Sequence, residues 1–387
     1  MRILYFYRGL VHSTQHVHIY AMIRAWRSLG HEALECFPLS ASADGTSATA
    51  TRVRRLPPLL RNFAQIYADR PVRKALERAC RDFQPDFIYE RYALFSKCAG
   101  EVARRAGIPL IMEVNSAVAH LEPEHISLLL RPWSRKRELR TLLAAGALFT
   151  VSGFQAQRLA ALGVPAERIR VTHNAVDPTA FRDLASQREG MRSRLRLGSQ
   201  CALLLLHPWN HPKASKGILD ILRRLSSALG AEADAVVLVS VGGGPLFPDA
   251  QEVIGRAFPR AVFAGHVPHE DIYPYLAAAD VGLIPWHEAF TSPLKLFEFM
   301  AAGLAVLAPN LAGISEVLRS EENGLLFPAG DVQAMAAAIV RLSHDQNLRM
   351  RLGHAARRDA FEKHTWENNA RQVLAAAMAL QQAVRER

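Results

Sequence analysis

Along the chain, short runs of apolar and β-branched residues alternate with longer stretches in which apolar residues recur at helical spacing. Short apolar runs bounded by turn residues are typical of strands that are buried on both faces. Their alternation with helices indicates parallel sheets covered by helices, an α/β architecture. The predicted strands are RILYFY, EALECF, DFIYE, PLIMEV, ALFTVS and IRVTH in the first half, and CALLLLH, AVVLVSVG, AVFAGHV, VGLIPWH, AVLAPN and GLLF in the second.

A polar, arginine-rich stretch, FRDLASQREGMRSRLRLGS, separates these two series of strands. The length of 387 residues also favours two or three domains, because a domain has roughly 150 residues on average. We therefore predict two Rossmann-like, doubly wound parallel-sheet domains, one over residues 1–180 and the other over residues 181–365.

The stretch TSPLKLFEFMAAG is apolar nearly all the way round, so we expect a helix that is buried on most sides. Ser292 is predicted as its N-cap, Pro293 as its first helical residue and Gly303 as its left-handed C-cap. Glu298 then lies in or beside the core. It either pairs with Lys295 at a helix edge, or accepts hydrogen bonds from a ligand's hydroxyl groups while the helix N-terminus binds an anion.

Two glycine-containing loops follow predicted strands, at the sheet edge where open α/β proteins bind their ligands. YRGLVHSTQHVH follows the first strand of the first half, and VGGGP follows the second strand of the second half. Neither loop is a G-x-G-x-x-G fingerprint or a Walker loop with Lys and Ser or Thr, which weighs against a standard dinucleotide-binding or P-loop protein.

Composition limits the setting in which the protein works. The four cysteines are far apart in sequence, which argues against a disulfide framework or a zinc ribbon and favours a reducing, cytoplasmic setting: Cys36, Cys80, Cys98 and Cys201. No signal peptide and no membrane-spanning run is apparent, so we expect a protein that is soluble or at most peripheral.

The positive charge of the chain is unevenly distributed. Residues 1–180 contain 25 Lys and Arg against 15 Asp and Glu, a net charge of +10, whereas residues 181–387 contain 22 against 21, a net charge of +1. This asymmetry predicts an acidic partner for the first half alone, which could be nucleic acid, an anionic membrane or a charged substrate.

Several motifs of the second half occur in an order that resembles a known family. KASKG, VGGGP, VFAGHVPHEDIYPYLAAADVGLIP, SPLKLFEFMAAGLAVLAPNLAGISEVLRSEENGLLFPAGD and a late HTW resemble the retaining GT-B glycosyltransferases of family four, also called glycosyl transferases group 1. THNAVD is similar to the NGVD turn that ends the first domain of that family, with Ala175 in place of the glycine. The resemblance implies two domains facing a cleft that closes around the donor, and a terminal helix, residues 366–387, that crosses back to the first domain.

The resemblance also implies roles for individual residues. Glu298 matches the second glutamate of the family's E-x7-E element, which holds the ribose hydroxyls of a nucleotide sugar. Lys216 matches the lysine that contacts the donor diphosphate. The remaining donor-side matches are the helix start at Ser292, Pro293 and Leu294, the loop glycines Gly9, Gly242 and Gly244, and the backbone of His266 and Val267 beside the base.

The sequence departs from the family pattern at several positions. Phe290 stands where the first glutamate of E-x7-E would fall, and Glu288 lies two residues earlier. His211 stands where an arginine is expected, so His211 or Lys213 would share the diphosphate.

In the first half, many relatives have a histidine near the sugar after a central strand, where IMEVNSA offers Glu113 and Asn115 instead. We place Asn115 near the sugar. The histidines of the opening loop and helix, His12, His16 and His18, could reach the acceptor.

The function predicted from these matches is hexosyl transfer from a nucleotide diphosphate sugar to an acceptor hydroxyl, with retention, in glycan, glycolipid or cell-surface polysaccharide biosynthesis. No D-x-D occurs in the chain, so we expect metal-independent catalysis with no cofactor. The alternatives are a GT-B relative with other chemistry, such as an epimerase or a phosphorylase, and a basic nucleic-acid-binding protein, which lacks a recognisable reading motif.

Two stretches of the first half place apolar residues beside basic ones: TRVRRLPPLLRNFAQIYADR, with Arg54 and Arg55, and ISLLLRPWSRKRELR, with Arg135 and Arg137. Such a combination predicts docking on an anionic membrane face that carries a lipid-linked acceptor. Alternatively, the apolar residues pack on the sheet of the first domain while the arginines face water, or the charge serves a small soluble anionic acceptor.

Overall fold

The computed structural model describes residues 1–8, 13–37, 57–67, 69–121, 126–288 and 292–386. Within them the chain divides into two units. Unit 1 consists of residues 1–173 and 366–387, and unit 2 consists of residues 174–365. Each unit is built around one parallel sheet.

The sheet of unit 1 has the order β2-β1-β3-β4-β5-β6, and every pairing in it is parallel. Its strands are β1 (Arg2–Tyr7), β2 (Glu32–Cys36), β3 (Phe87–Arg91), β4 (Leu110–Val114), β5 (Ala147–Thr150) and β6 (Ile169–Val171). Its helices up to residue 173 are α1 (Ser13–Ser28), α2 (Pro58–Tyr67), α3 (Asp69–Phe83), α4 (Cys98–Ala106), α5 (Val118–Leu121), α6 (Arg131–Leu143) and α7 (Gly153–Ala161).

Unit 2 has a second parallel sheet, in the order β12-β11-β10-β7-β8-β9. Its strands are β7 (Cys201–Leu206), β8 (Val236–Val241), β9 (Ala261–Gly265), β10 (Val281–Leu283), β11 (Ala305–Asn310) and β12 (Leu325–Pro328). Its helices are α8 (Leu184–Arg194), α9 (Pro212–Leu229), α10 (Phe247–Ala257), α11 (Tyr273–Ala278), α12 (Leu294–Ala301), α13 (Ala312–Ser315), α14 (Val332–His344) and α15 (Gln346–Lys363). The central strands β7 and β8 are buried along most of their length, as their largely apolar sequences predict.

The division between the units falls a few residues before the predicted boundary at 180/181. Val176, Phe181 and Leu184 are buried in a core cluster of unit 2 together with residues of α11 and α12. Val176 also forms a parallel bridge with Thr365. The segment after His173 therefore belongs to unit 2 because its apolar side chains are buried there.

The last helix, α16 (Trp366–Arg385), belongs to unit 1. The indole Nε1 of Trp26 in α1 donates to the carbonyl of Ala370 at 3.4 Å. A β-carbon on Gly146 would lie 2.8 Å from a methyl carbon of Leu380, so a larger residue there would require the Leu380 side chain to shift.

The C-terminal end of α12 packs on α15 through two glycines. Gly303 has a φ of 75°, the left-handed conformation predicted for it, and the helix ends as Gly303 N–H donates to the carbonyl of Met300. A β-carbon on Gly353 would lie 2.0 Å from the carbonyl oxygen of Gly303. Backbone atoms cannot move aside as a flexible side chain can, so this contact requires glycine.

We predict that Gly353→Ala destabilises unit 2 by about 1–3 kcal/mol, although alanine is the better helix former, because the added methyl group overpacks the contact. Gly255→Ala is the matched control, since it also lies in a helix but a β-carbon there has no neighbour within 4 Å. It should be neutral or stabilising. Urea unfolding measures both, and equal midpoints for the two variants would contradict the prediction.

Candidate functional site

The candidate site of unit 2 lies at the edge of the sheet where β7, β8, β9 and β10 end. Because all pairings are parallel, the loops after these strands gather at one edge, where open α/β sheets bind ligands. Four segments lie at this edge: residues 207–211 after β7, 242–245 after β8, 266–271 after β9, and 284–288 with the start of α12.

The start of α12 lies one residue later than predicted. The helix begins at Leu294, Pro293 occupies the N-cap position, and no side chain caps the helix. The Oγ of Ser292 is buried and has no hydrogen-bond partner among the described residues. The Ser292 carbonyl oxygen accepts from Asn174 Nδ2 at 2.5 Å, which positions the segment.

Ser292 is therefore wrong as an N-cap, because its hydroxyl makes no hydrogen bond to the helix amides and Pro293 occupies the N-cap position. Pro293 has no backbone N–H, so it cannot donate to an anion. The backbone N–H groups of Leu294 and Lys295, in the first helical turn, have no intrahelical acceptor. The helix N-terminus is thus a feature that suits a negatively charged group.

Lys295 projects from the first turn of α12 and is half-buried. Its Nζ donates to the carbonyl oxygen of Leu206, the last residue of β7, at 2.6 Å. Burial lowers the pKa of Lys295 to about 8, against the opposing effect of Glu298. The ammonium group therefore keeps its charge at neutral pH with donors still available.

Two histidines beside Lys295 were not singled out from the sequence. Burial, and to a lesser extent the positive charge of Lys295, lower the pKa of His207 to about 3 and that of His287 to about 4. His207 Nε2 lies 3.0 Å from Ser215 Oγ. Both rings are neutral at pH 7, so the fixed positive charge at this point is that of Lys295. Their positions as the last residues of the predicted strands CALLLLH and VGLIPWH were the sequence signal that could have drawn attention to them.

The start of α9 lies against the loop after β10. A β-carbon on Gly217 would lie 2.6 Å from the indole of Trp286, and Lys213 Nζ lies 2.7 Å from a carboxylate oxygen of Glu288. His211 is the N-cap of α9, its Nδ1 accepting from Ala214 N at 3.4 Å. The structure thus gives Lys213 and His211 protein partners. Lys216 is exposed on the same helix and directly follows Ser215, whose Oγ contacts His207.

Glu298 lies one turn after Lys295, and its side chain is 12% exposed. Its Oε1 is 2.6 Å from Nε2 of His269, a residue of the turn His269–Asp271 that follows β9. From the sequence, an ion pair between Glu298 and Lys295 at the helix edge was one possibility. In the structure Glu298 contacts His269 instead, and the Lys295 ammonium bonds to the carbonyl oxygen of Leu206. A carboxylate has about four acceptor sites, so the bond from His269 leaves capacity for ligand hydroxyls.

The glycines of the VGGGP loop are explained by close packing with the loop after β7. A β-carbon on Gly242, at φ 132°, would lie 1.9 Å from the carbonyl oxygen of His207, and one on Gly244, at φ 151°, would lie 2.6 Å from that of Pro208. One on Gly243 would lie 3.0 Å from the backbone nitrogen of His266. The glycines therefore shape this edge, and their contact with a donor, like that of Val267, stays a prediction.

In unit 1, polar side chains converge on Glu113, which is buried near the end of β4. Arg91 Nη1 lies 2.5 Å from its Oε1, and the hydroxyls of Tyr5 and Tyr89 each donate to its Oε2 at 3.2 Å. Burial raises the pKa of Glu113, but Arg91 and the other partners outweigh burial, so that the net shift is downward. Glu113 is therefore an ionised structural centre with its acceptor sites occupied.

Asn115 follows this strand and donates from Nδ2 to Glu113 Oε1 at 3.1 Å. Its Oδ1 is buried and has no hydrogen-bond partner among the described residues. The Nδ2 of Asn115 is thus held by Glu113, whereas its Oδ1 can still accept a hydrogen bond. The contact of Asn115 with a sugar stays a prediction.

The histidines of the opening segment have different outcomes. His18 is buried, packs edge-on against Trp366, and has its pKa lowered to about 4 chiefly by burial. It is therefore a structural residue of unit 1 and not an exposed group that reaches an acceptor. Gly9, His12 and Phe290 lie outside the described residues, and of the His16 side chain the structure describes nothing.

Sequence comparisons then identify the family. The model described as "Glycosyltransferase Family 4" matches residues 15–180, and the model described as "Glycosyl transferases group 1" matches residues 205–345. The chain belongs to the group 1 glycosyltransferases.

Two named relatives share less than 30% sequence identity with this chain. Sulfoquinovosyl transferase SQD2 of Arabidopsis thaliana is 28% identical over 293 residues, 73% of this chain and 54% of that protein. The amylovoran biosynthesis glycosyltransferase AmsK of Erwinia amylovora is 29% identical over 206 residues, 51% of this chain and 48% of that protein. This chain thus spans about half the length of these relatives.

Among solved structures, HepE of Anabaena, crystallised with UDP, has a TM-score of 0.75 at 17% identity, covering 98% of this chain and 100% of that one. The likeness confirms the predicted α/β class and GT-B fold of the group 1 glycosyltransferase.

A second buried glutamate of unit 1, Glu90, has an incomplete set of partners. Ser96 Oγ donates to its Oε1 at 2.9 Å, and its Oε2 has no hydrogen-bond partner among the described residues. Burial raises the pKa of Glu90 to about 7 from 4.5. Between these values the folded chain binds a proton that the unfolded chain has lost, so the free energy of unfolding falls as pH rises through this window.

We predict that Glu90→Gln leaves stability nearly unchanged at pH 5 but raises it by on the order of 1–3 kcal/mol at pH 8, because the ionised, buried carboxylate is removed. Glu101→Gln is a control of opposite sign, since ion pairs with Lys97 and Arg73 outweigh burial and lower the pKa of Glu101. Chemical denaturation across this pH range measures both variants. A Glu90→Gln effect that does not change with pH would refute the assignment.

Proposed function

We propose that this chain is a glycosyltransferase that moves a hexosyl group from a nucleoside-diphosphate sugar to an acceptor hydroxyl, with retention of configuration at the anomeric carbon. The observation that carries the proposal is a half-buried lysine in the first turn of α12, followed one turn later by a carboxylate. The lysine and the helix N-terminus suit a diphosphate, and the carboxylate suits the hydroxyls of a ribose. Family membership supports the reaction class, and retention rests on the family resemblance alone.

In the proposed reaction, the bond between the anomeric carbon and the diphosphate oxygen breaks, and its electron pair leaves with the diphosphate. The acceptor oxygen bonds to the same carbon, and its proton passes to the departing diphosphate. Negative charge grows on the departing oxygen, so fixed cations and free amides lower the barrier. We assign this role to Lys295, Lys216 and the start of α12, with His211 and Lys213 as further candidates.

For the donor nucleoside, we assign the ribose hydroxyls to Glu298 and the base to the backbone of His266 and Val267. HepE was crystallised with UDP and with UDP-glucose, so UDP is the first nucleotide to test. Thermal-shift screening against UDP-, GDP-, ADP- and CMP-sugars identifies the donor, since a ligand at a hundred times its Kd adds about 2.7 kcal/mol of stability.

For the acceptor, we propose a lipid-linked hydroxyl at a cytoplasmic membrane face, in glycan, glycolipid or cell-surface polysaccharide biosynthesis. The relative AmsK is an amylovoran biosynthesis glycosyltransferase. We assign Asn115 of unit 1 to the transferred sugar. Among the described residues, no helix is both long and apolar enough to cross a bilayer.

We predict that Glu298→Gln and Lys295→Met each weaken UDP binding by roughly 10-fold or more, because each removes a charged hydrogen-bonding group, worth about 1.5–3 kcal/mol. Lys295→Arg should retain part of the affinity. Isothermal titration measures the Kd, and thermal unfolding confirms that the variants fold. Glu252→Gln, which breaks only an exposed ion pair with Arg256, is the control. Parental UDP affinity in Glu298→Gln would remove the ribose assignment.

We also predict that transfer, or slow hydrolysis of the donor, survives excess EDTA, because lysines and helix amides neutralise the leaving group. In the same assay Lys216→Ala should lower kcat by about 100-fold or more, the usual cost of one lost transition-state donor. Strict dependence on Mn²⁺ or Mg²⁺ would overturn the metal-independent mechanism. Full activity of Lys216→Ala would leave Lys295 as the diphosphate contact.

A further inference from the structure

Exposed apolar side chains are concentrated on one part of unit 1. Among the described residues, eleven large apolar side chains are exposed, and seven of these belong to α2, the turn Leu128–Leu130 and α6: Leu60, Phe63, Tyr67, Leu128, Leu129, Trp133 and Leu143. Leu128 is 72% and Leu129 is 80% exposed. Their exposure argues against the alternative considered from the sequence, in which these residues pack on the sheet. A cluster of this kind indicates an interaction surface.

The two sequence stretches that supply these residues are joined in the structure. Asn62 of α2 is buried, and its Oδ1 accepts from the backbone nitrogen of Ser127 at 3.0 Å. Ser127 precedes the turn Leu128–Leu130, which leads directly into α6. The exposed residues of α2 therefore lie close to those of the turn, and we call the seven together the apolar patch.

A basic cavity of about 740 Å³ borders the apolar patch, with Trp133 in its wall. Its cationic lining residues are Lys97, Arg104, Lys136, Arg137 and Arg140, against one carboxylate, Glu101. A second cavity of about 360 Å³ shares Lys97 and Arg137 with the first and adds Arg70, Arg73 and Asp69. The two cavities therefore form one basic depression.

The acidic residues of this depression are already paired. Glu101 lies 3.0 Å from Arg73 and 2.8 Å from Lys97, and Asp69 lies 2.9 Å from Arg8. Arg104, Lys136 and Arg140 are exposed and form no ion pair with any other described residue. Their charge is thus available to an anionic partner.

We propose that the apolar patch and the basic cavity dock unit 1 on an anionic lipid bilayer, with Leu128, Leu129 and Trp133 entering the interface and lipid phosphates occupying the cavity. Apolar side chains beside basic ones are what interfacial binding requires, since the former enter the acyl boundary and the latter attract anionic headgroups. A nucleic acid would use the positive charge but not two adjacent, exposed leucines. The inference rests on the proposed function only for the acceptor that such a bilayer would carry.

The test is sedimentation of the full-length protein with vesicles of phosphatidylcholine, alone or with roughly a third phosphatidylserine. Binding should require the anionic lipid and weaken as salt increases, because surface charges are then screened. Arg104→Ser, Lys136→Ser and Arg140→Ser combined should lower the partition coefficient about 100-fold, at roughly 1 kcal/mol per basic residue. Leu128→Ser with Leu129→Ser should lower it at least 10-fold.

The matched control carries Arg260→Ser, Arg358→Ser and Met350→Ser, which remove exposed side chains of the same kinds from unit 2. It should bind vesicles as the parent does. Trp133 provides a direct readout, since it is the exposed tryptophan of the described residues. Its emission should shift to the blue with anionic vesicles and should be quenched by brominated lipid.

The proposal is overturned if neutral and anionic vesicles bind equally, or if the apolar double variant binds as the parent does. If a soluble polyanion displaces the protein from the vesicles and the leucines do not contribute to binding, the partner is a nucleic acid or another soluble anion instead. UDP binding is measured on the same preparations. Loss of vesicle binding with intact UDP affinity removes the docking surface alone, whereas vesicle binding without nucleotide affinity removes the proposed donor site alone.

Discussion

The candidate site of unit 2 depends on one hydrogen bond, from the ammonium group of Lys295 to the carbonyl oxygen of Leu206. This bond fixes the first turn of α12 against the end of β7, so the free amides of the helix are held at the sheet edge. Burial disfavours the charge without removing it, since the pKa of Lys295 is about 8. Among the described residues, the partner of this cation is a neutral carbonyl, so the ammonium retains donors for an anion such as a departing diphosphate.

The residues around Lys295 limit the charge of the site. His207 and His287 are neutral at pH 7, because burial and the nearby ammonium both oppose their protonation. Glu298 is the nearest carboxylate along the helix, and its bond with His269 orients it toward the segment after β9. The positive charge and the hydroxyl acceptor are therefore separated by one helical turn, a spacing that suits the diphosphate and the ribose of one nucleotide.

Unit 1 uses its buried charges differently. The carboxylate of Glu113 is matched by Arg91, two tyrosine hydroxyls and an amide, so it stays ionised and holds the ends of β3 and β4 together. Removing one member of such a network costs more than the pair contributes, because the other charge is left buried without a partner. The basic depression has no comparable match. Arg104, Lys136 and Arg140 face solvent beside the apolar patch, which is why we assign an external partner to the depression.

The sequence by itself determined the α/β class, the two parallel sheets, the helix around Glu298 and the left-handed Gly303, because these follow from local patterns of apolar residues and turn chemistry. It also indicated which residues carry charge. The tertiary structure decided what those residues touch: Lys295 bonds to a distant strand, Ser292 is not a cap, and the leucines at 128 and 129 face solvent. Such contacts join segments that are far apart in sequence, and whether a given side chain is buried or exposed depends on neighbours that no local pattern specifies.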